Sequence, residues 1–143
     1  MQRDIWMHKV FLDVNVIVDF MDSHRPRHQD AVRLLQFLLL HSYEICITED
    51  MLSTIYYISK NKEKTLLFFN NVILKKWQVL PFGQKVLDLA VSTSLETKID
   101  LEDLLQCLCA KANGCHILIT NDDSFYDCGI TIMTTKSFLQ AKS

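Results

Sequence analysis

Carboxylates recur at three points where an apolar run stops. In "KVFLDVN" the run Val10–Leu12 gives way to Asp13, with Asn15 two positions on; "DLEDLLQ" groups Asp100, Glu102 and Asp103; "HILITNDD" passes from apolar residues to Thr120, Asp122 and Asp123. Acids brought to one place repel one another unless a cation neutralises them, and hard oxygen ligands suit Mg2+ or Mn2+. A centre of that kind activates a water and stabilises the attacking and leaving oxygens of phosphoryl transfer. Taken singly, each acid also has a structural reading. Asp13 can turn a strand into a helix, Asp100 can cap one, and Glu102 and Asp103 complement the positive end of a helix dipole.

Whether the three groups meet depends on the elements that carry them. Val10 to Leu12 reads as a short strand, residues 15–22 as the first helical turns, "RPRH" as a loop and "QDAVRLLQFLLLH" as a helix with apolar residues at helical spacing. "YEICIT" is a second strand, after which Thr48 can cap the helix "EDMLSTIYYISK", with Leu52, Ile55 and Tyr56 on one face. A helix over "KEKTLLFFNNVILKK" leads to a strand in "WQVLPF". Helices over "GQKVLDLAVST" and "DLEDLLQCLCAKAN" follow, the second stopping at Asn113-Gly114. Its apolar stripe is Leu101, Leu104, Leu105 and Leu108, while Asp100 and Asp103 are neighbours on another face. "HILIT" and "ITIMTT" are the last strands, before a short final helix. Strands alternating with helices imply a mostly parallel sheet covered on both faces, and such sheets bind ligands beyond the carboxyl ends of their strands. All three acidic groups fall at strand or helix ends of that kind.

Composition narrows the class. The chain has 143 residues, 49% of them hydrophobic, enough for one core in one domain. A net charge of -2 offers no whole-molecule attraction to a polyanion or an anionic membrane, so a nucleic acid must be held by local patches or by metal. The first ten residues show no secretory leader, and the apolar run near "LLQFLLL" is too short to span a bilayer. A cytoplasmic protein with reduced thiols is therefore expected. Among its five cysteines, Cys107 and Cys109 sit two apart on a helix and point to different sides, with Cys115 and Cys128 elsewhere, which disfavours a zinc site and reads as small buried residues.

"FLDVNVIVDF", "ITEDMLSTIYYISK" and "DLEDLLQCLCAKANGCHILITNDDSF" together resemble the PIN domain, the compact nuclease fold of the VapC toxins of bacterial toxin–antitoxin pairs. The resemblance covers nearly the whole chain and implies a single domain over residues 1–143, a three-layer α/β/α fold with a mostly parallel central sheet. It also implies a metal-dependent ribonuclease. By the match Asp13, Asp103 and Asp122 are the metal-binding acids, Asp100 is an extra acid found in many members, and Asn15 and Thr120 shape the site. The implied cofactor is Mg2+ or Mn2+, and the implied partners are an RNA substrate, an antitoxin protein and a second copy of the chain.

One departure bears on activity. The family commonly places a Glu on the helix after the second strand, and here Thr54 falls at that register. Asp50 lies one turn earlier on the same helical face. A PIN-fold module that binds RNA or protein without cutting is therefore the alternative function. An aspartyl phosphatase of the haloacid dehalogenase kind fits less well, since it needs an Asp where this chain has Asn15. No glycine-rich phosphate loop follows the first strand. "HRPRH" and Lys60, Lys62 and Lys64 read as solvated loops that offer charge to phosphates.

Overall fold

In the computed structural model, which describes residues 8–142, five strands form one sheet: β1 (Lys9–Leu12), β2 (Glu44–Thr48), β3 (Gln78–Leu80), β4 (Ile117–Ile119) and β5 (Thr131–Met133). Their order is β3-β2-β1-β4-β5, and every pairing is parallel. Strands buried on both faces need apolar residues at every position rather than every second one. Val10, Phe11 and Leu12, all fully buried in the middle strand, meet that requirement. The opening stretch judged to lack a leader lies, as far as Met7, outside the described residues.

The helices that flank the sheet are α1 (Val14–Met21), α2 (His28–Leu40), α3 (Glu49–Ile58), α4 (Lys62–Phe68), α5 (Leu74–Lys76), α6 (Gly83–Thr97), α7 (Leu101–Ala112) and α8 (Thr135–Lys142). A π-helical turn, Phe69–Ile73, joins α4 to α5, so the helix expected there is continuous in path but widened by one turn that buries Phe69 and Ile73. Gly114, at φ +75°, makes the left-handed turn that ends α7 as the sequence predicts. Among the described residues no helix is long and apolar enough to cross a membrane.

Register sets the position of Asp13. Phe11 pairs with Cys46 on one side and Leu12 with Ile119 on the other. One residue past β1, Asp13 is therefore level with Thr48 at the end of β2 and with Thr120 just beyond β4. These three polar residues form a row across the carboxyl end of the sheet.

Three expectations are corrected. The inward face of α7 is Leu104, Gln106, Cys107, Cys109 and Ala110, while Leu101 is 41% exposed and Leu105 and Leu108 only partly buried. Small Cys and Ala side chains let the helix approach closely, and the leucines lie along its flanks. On α3, Met51 and Ile55 are buried and Tyr56 is exposed. The cysteines are not all free thiols: Cys107 and Cys128 form a disulfide, because that side of α7 faces the loop before β5. Cys46, Cys109 and Cys115 are free and buried.

Candidate active site

Asp13 is held from every side. Its N–H continues the ladder by donating to the Ile119 carbonyl at 2.9 Å. The Oδ1 atom caps α1 by accepting from the Val14 N–H at 2.7 Å, and Oδ2 accepts from the Thr120 hydroxyl at 2.6 Å and from the Asn15 amide at 3.1 Å. Thr120 is a hinge pin between two acids, since its Oγ1 also accepts the Asp122 N–H at 3.1 Å. The Asp122 carboxylate in turn takes the Ser124 N–H and hydroxyl at 3.0 and 2.8 Å, closing a tight turn after β4.

The start of α7 supplies the other acids. Asp100 caps the helix by accepting the Asp103 N–H at 3.1 Å, which bears out its structural reading without removing it from the cleft. Asp100, Glu102, Asp103 and Asp122 line a cleft of about 510 Å³ with Ile99, Ser124 and Tyr126. Asp13, 6% exposed, is not part of that lining but stands near enough for its charge to act on Asp103.

The acids act on one another. Burial first, then the negative charges of Asp100, Asp122 and Asp13, push Asp103 up to about 6, against a hydrogen bond from the Tyr126 backbone that lowers it. Asp13 is raised by burial and by the charge of Asp122, opposed by its Thr120 and Val14 hydrogen bonds. Glu102 is raised by burial, then by Asp50, Asp100 and Asp13. The donor set is entirely oxygen, as a hard divalent cation requires. Among the described residues no three Asp, Glu, His or Cys side chains stand close enough to enclose an ion as they are, so the ligand set is open.

These shifts carry a sign for stability. A carboxyl held above its ordinary value of 3.8 keeps its proton in the folded chain over a window where the unfolded chain has lost it, so stability is lost as pH rises from about 4 to about 6. In EDTA the thermal midpoint is expected to be higher at pH 5 than at pH 7.5. Asp103→Asn should flatten that rise, and identical slopes for the two proteins would refute the assignment.

Thr54 does not join the acids. It is exposed, its hydroxyl donates to the Asp50 carbonyl at 3.2 Å, and it borders a separate depression with Ser53, Tyr56, Tyr57 and Lys62. Lys62 is occupied by the carbonyls of Tyr56, Tyr57 and Ser59 at the end of α3, and Arg25 by the buried Asp19 at 2.7 Å. Neither is free for phosphate. Ser124 and Tyr126, which the cleft includes, had no signal in spacing. Asn121 holds the turn by accepting the Thr135 N–H at 3.1 Å, so α8 anchors the Asp122 segment from behind.

A parallel sheet in this order, with acids gathered past β1 and β4 and at the start of α7, is the arrangement of a PIN domain. The PIN domain description matches residues 10–130, and the chain belongs to that family. It is 35% identical over 135 residues to Ribonuclease VapC1 of Aquifex aeolicus, across 92% of this chain and 94% of that protein. The fold is shared with VapBC2 from Rickettsia felis, solved bound to a DNA fragment from their promoter, at TM-score 0.64 and 24% identity over 87% of this chain and 96% of that one. It is shared too with Mycobacterium tuberculosis VapC20, a sarcin-ricin loop cleaving toxin, at TM-score 0.64 and 13% identity over 85% and 96% of the two chains.

Proposed function

We propose that this chain, as one PIN-type domain, is a divalent-metal-dependent ribonuclease and the toxin of a toxin–antitoxin pair. The observation that carries the reading is the Asp122–Thr120–Asp13 linkage opposite Asp103, in a chain 35% identical to a VapC ribonuclease along almost its whole length. In this reading Asp13, Asp103 and Asp122 hold Mg2+ or Mn2+, with Asp100 as the additional acid. Bound there, such an ion would supply an activated water and stabilise charge on the phosphate. Thr120 and Asn15 fix the Asp13 carboxylate, the Ser124 turn fixes Asp122, and the Asp100 cap fixes the helix end that presents Asp103.

RNA as substrate, an antitoxin protein as partner and action in the cytoplasm belong to the same proposal. Against the last stands the Cys107–Cys128 link, uncommon in a reducing compartment. Self-association is supported by apolar surface such as Leu39 and Leu40, 70% and 78% exposed at the end of α2. The displacement of Thr54 from the cleft favours one alternative, a PIN-fold module that binds RNA or protein with little or no cutting. Incubating the protein with single-stranded and structured RNA in Mg2+, in Mn2+ and in EDTA separates the two. Cleavage confined to the metal-containing samples is expected. RNA binding without cleavage in any of them would replace the nuclease reading with the binding one.

A further inference from the structure

Two separate stretches of chain wall the acidic cleft. Ile99, Asp100, Glu102 and Asp103 come from the start of α7, and Asp122, Ser124 and Tyr126 from the loop between β4 and β5. Asp103 feels the charge of Asp100 on its own wall and of Asp122 on the other. Walls of one sign push apart unless something joins them.

A covalent bond joins them. Cys107, one turn after Asp103 on α7, is linked to Cys128, two residues after Tyr126 in the loop. Beside that link the Cys128 N–H donates to Cys107 Sγ at 3.2 Å, and Lys111 Nζ donates to the Cys128 carbonyl at 3.1 Å. Asp103, Cys107 and Lys111 recur every four residues, so one stripe of the helix carries both an acid of the cleft and the attachments of the loop. The loop has no helix or strand of its own, so such attachments set its distance from α7. The two bonded sulfurs differ in access: Cys107 is fully buried and Cys128 is partly exposed, while the free thiols of Cys46, Cys109 and Cys115 are buried. An incoming thiolate therefore meets Cys128. Disulfides in reducing compartments are usually transient, catalytic or redox-sensing, and a bond with one accessible end suits such a role.

We propose that the Cys107–Cys128 bond is a reducible latch, a site of thiol–disulfide exchange that a dithiol reductant enters at Cys128, and that its cleavage lets the two acidic walls separate and weakens cation binding between them. The inference rests on the metal-dependent reading above and adds regulation to it. One thiolate of the reductant attacks Cys128 Sγ, and the electron pair of the breaking S–S bond leaves on Cys107 Sγ. The Cys128 N–H is placed to stabilise that thiolate until it takes a proton from water. The second thiol of the reductant, once deprotonated, displaces the Cys128 thiolate, which is protonated in turn. The protein has then gained two electrons and two protons, and the dithiol has become a disulfide.

Two measurements on the purified chain test it without reference to activity. Brief exposure of the oxidised chain to glutathione, with the mixed disulfide located by peptide mass, is expected to label Cys128. Titration with Mn2+, followed by the electron paramagnetic resonance signal of the free ion, compares the oxidised chain with one reduced by dithiothreitol and then freed of it. Reduction is expected to weaken Mn2+ binding about tenfold, as loss of an outer support for a metal ligand does, and reoxidation to restore it. Cys128→Ser, at a partly exposed position, should bind Mn2+ as the reduced chain does and be indifferent to dithiothreitol. Equal Mn2+ affinity in oxidised and reduced wild type would overturn the latch and leave the nuclease reading standing. So would glutathione on a cysteine other than Cys128, or five free thiols in the chain purified in air. If oxidised wild type takes up no Mn2+, the metal-dependent reading falls and the latch falls with it.

Discussion

Asp13→Asn is expected to eliminate metal-dependent RNA cleavage, by at least about 100-fold, while the protein stays folded. The asymmetry follows from the double duty of the side chain. As the cap of α1 it needs only one acceptor oxygen for the Val14 N–H, and Asn caps a helix as well as Asp. The new amide can donate to the Thr120 hydroxyl, which rotates to accept. It faces the Asn15 amide less favourably, a cost of about 1 kcal/mol offset by removing a buried charge that already repels Asp122. What cannot be replaced is the negative oxygen directed at a cation. The check is a pair of measurements on one preparation, a cleavage assay in Mn2+ and a thermal melt. Retained cleavage with an unchanged melting midpoint would remove Asp13 from the reaction.

Phe138→Ala is expected to cost about 3–5 kcal/mol of stability, a large share of the 5–15 kcal/mol typical of a domain. Phe138 is fully buried and meets Phe37 and Tyr43 edge-on, at 5.7 and 5.9 Å between ring centres. It is the main apolar anchor of α8, whose other buried residue is Thr135. Truncation leaves a ring-sized void between α2, α8 and the start of β2 that two rigid aromatic rings cannot fill. At a urea dependence of roughly 2 kcal/mol per molar, the unfolding midpoint should fall by about 2 M. A shift below about 0.5 M would mean that α8 is dispensable to the core.

What could be read in the sequence was what neighbours along the chain decide. The boundaries of β1, α1 and α7 follow from an apolar run meeting a capping acid, and the observed ends of these elements lie within a residue or two of that reading. The all-parallel sheet followed from strands alternating with helices. What could not be read was the rotation of each helix about its axis. Thr54 shares a register with the family Glu, yet it projects into the depression beside Tyr57 and Lys62. Glu102 was counted among the acids but given no place in the centre, because its direction depends on how closely Cys107 and Ala110 let α7 approach. The Cys107–Cys128 pair was missed for a related reason: spacing along a helix says which cysteines diverge, and says nothing of the loop that arrives opposite one of them.

That bond has a consequence for the chain before it folds. Cys107 lies one turn after Asp103, and Cys128 six residues after Asp122, so the bond encloses the end of α7, all of β4 and the turn that carries Asp122 in a covalent ring. Even in the denatured ensemble the two acidic segments are tethered, and each experiences the other at a high effective concentration instead of being free to diffuse apart. For this half of the cleft, the entropy of bringing Asp122 back to Asp103 is largely spent once the bond is made. Asp13 is outside the ring and has no such tether. Only the pairing of β1 with β4 brings it to the other two, which makes docking of the central strand the event that assembles the centre.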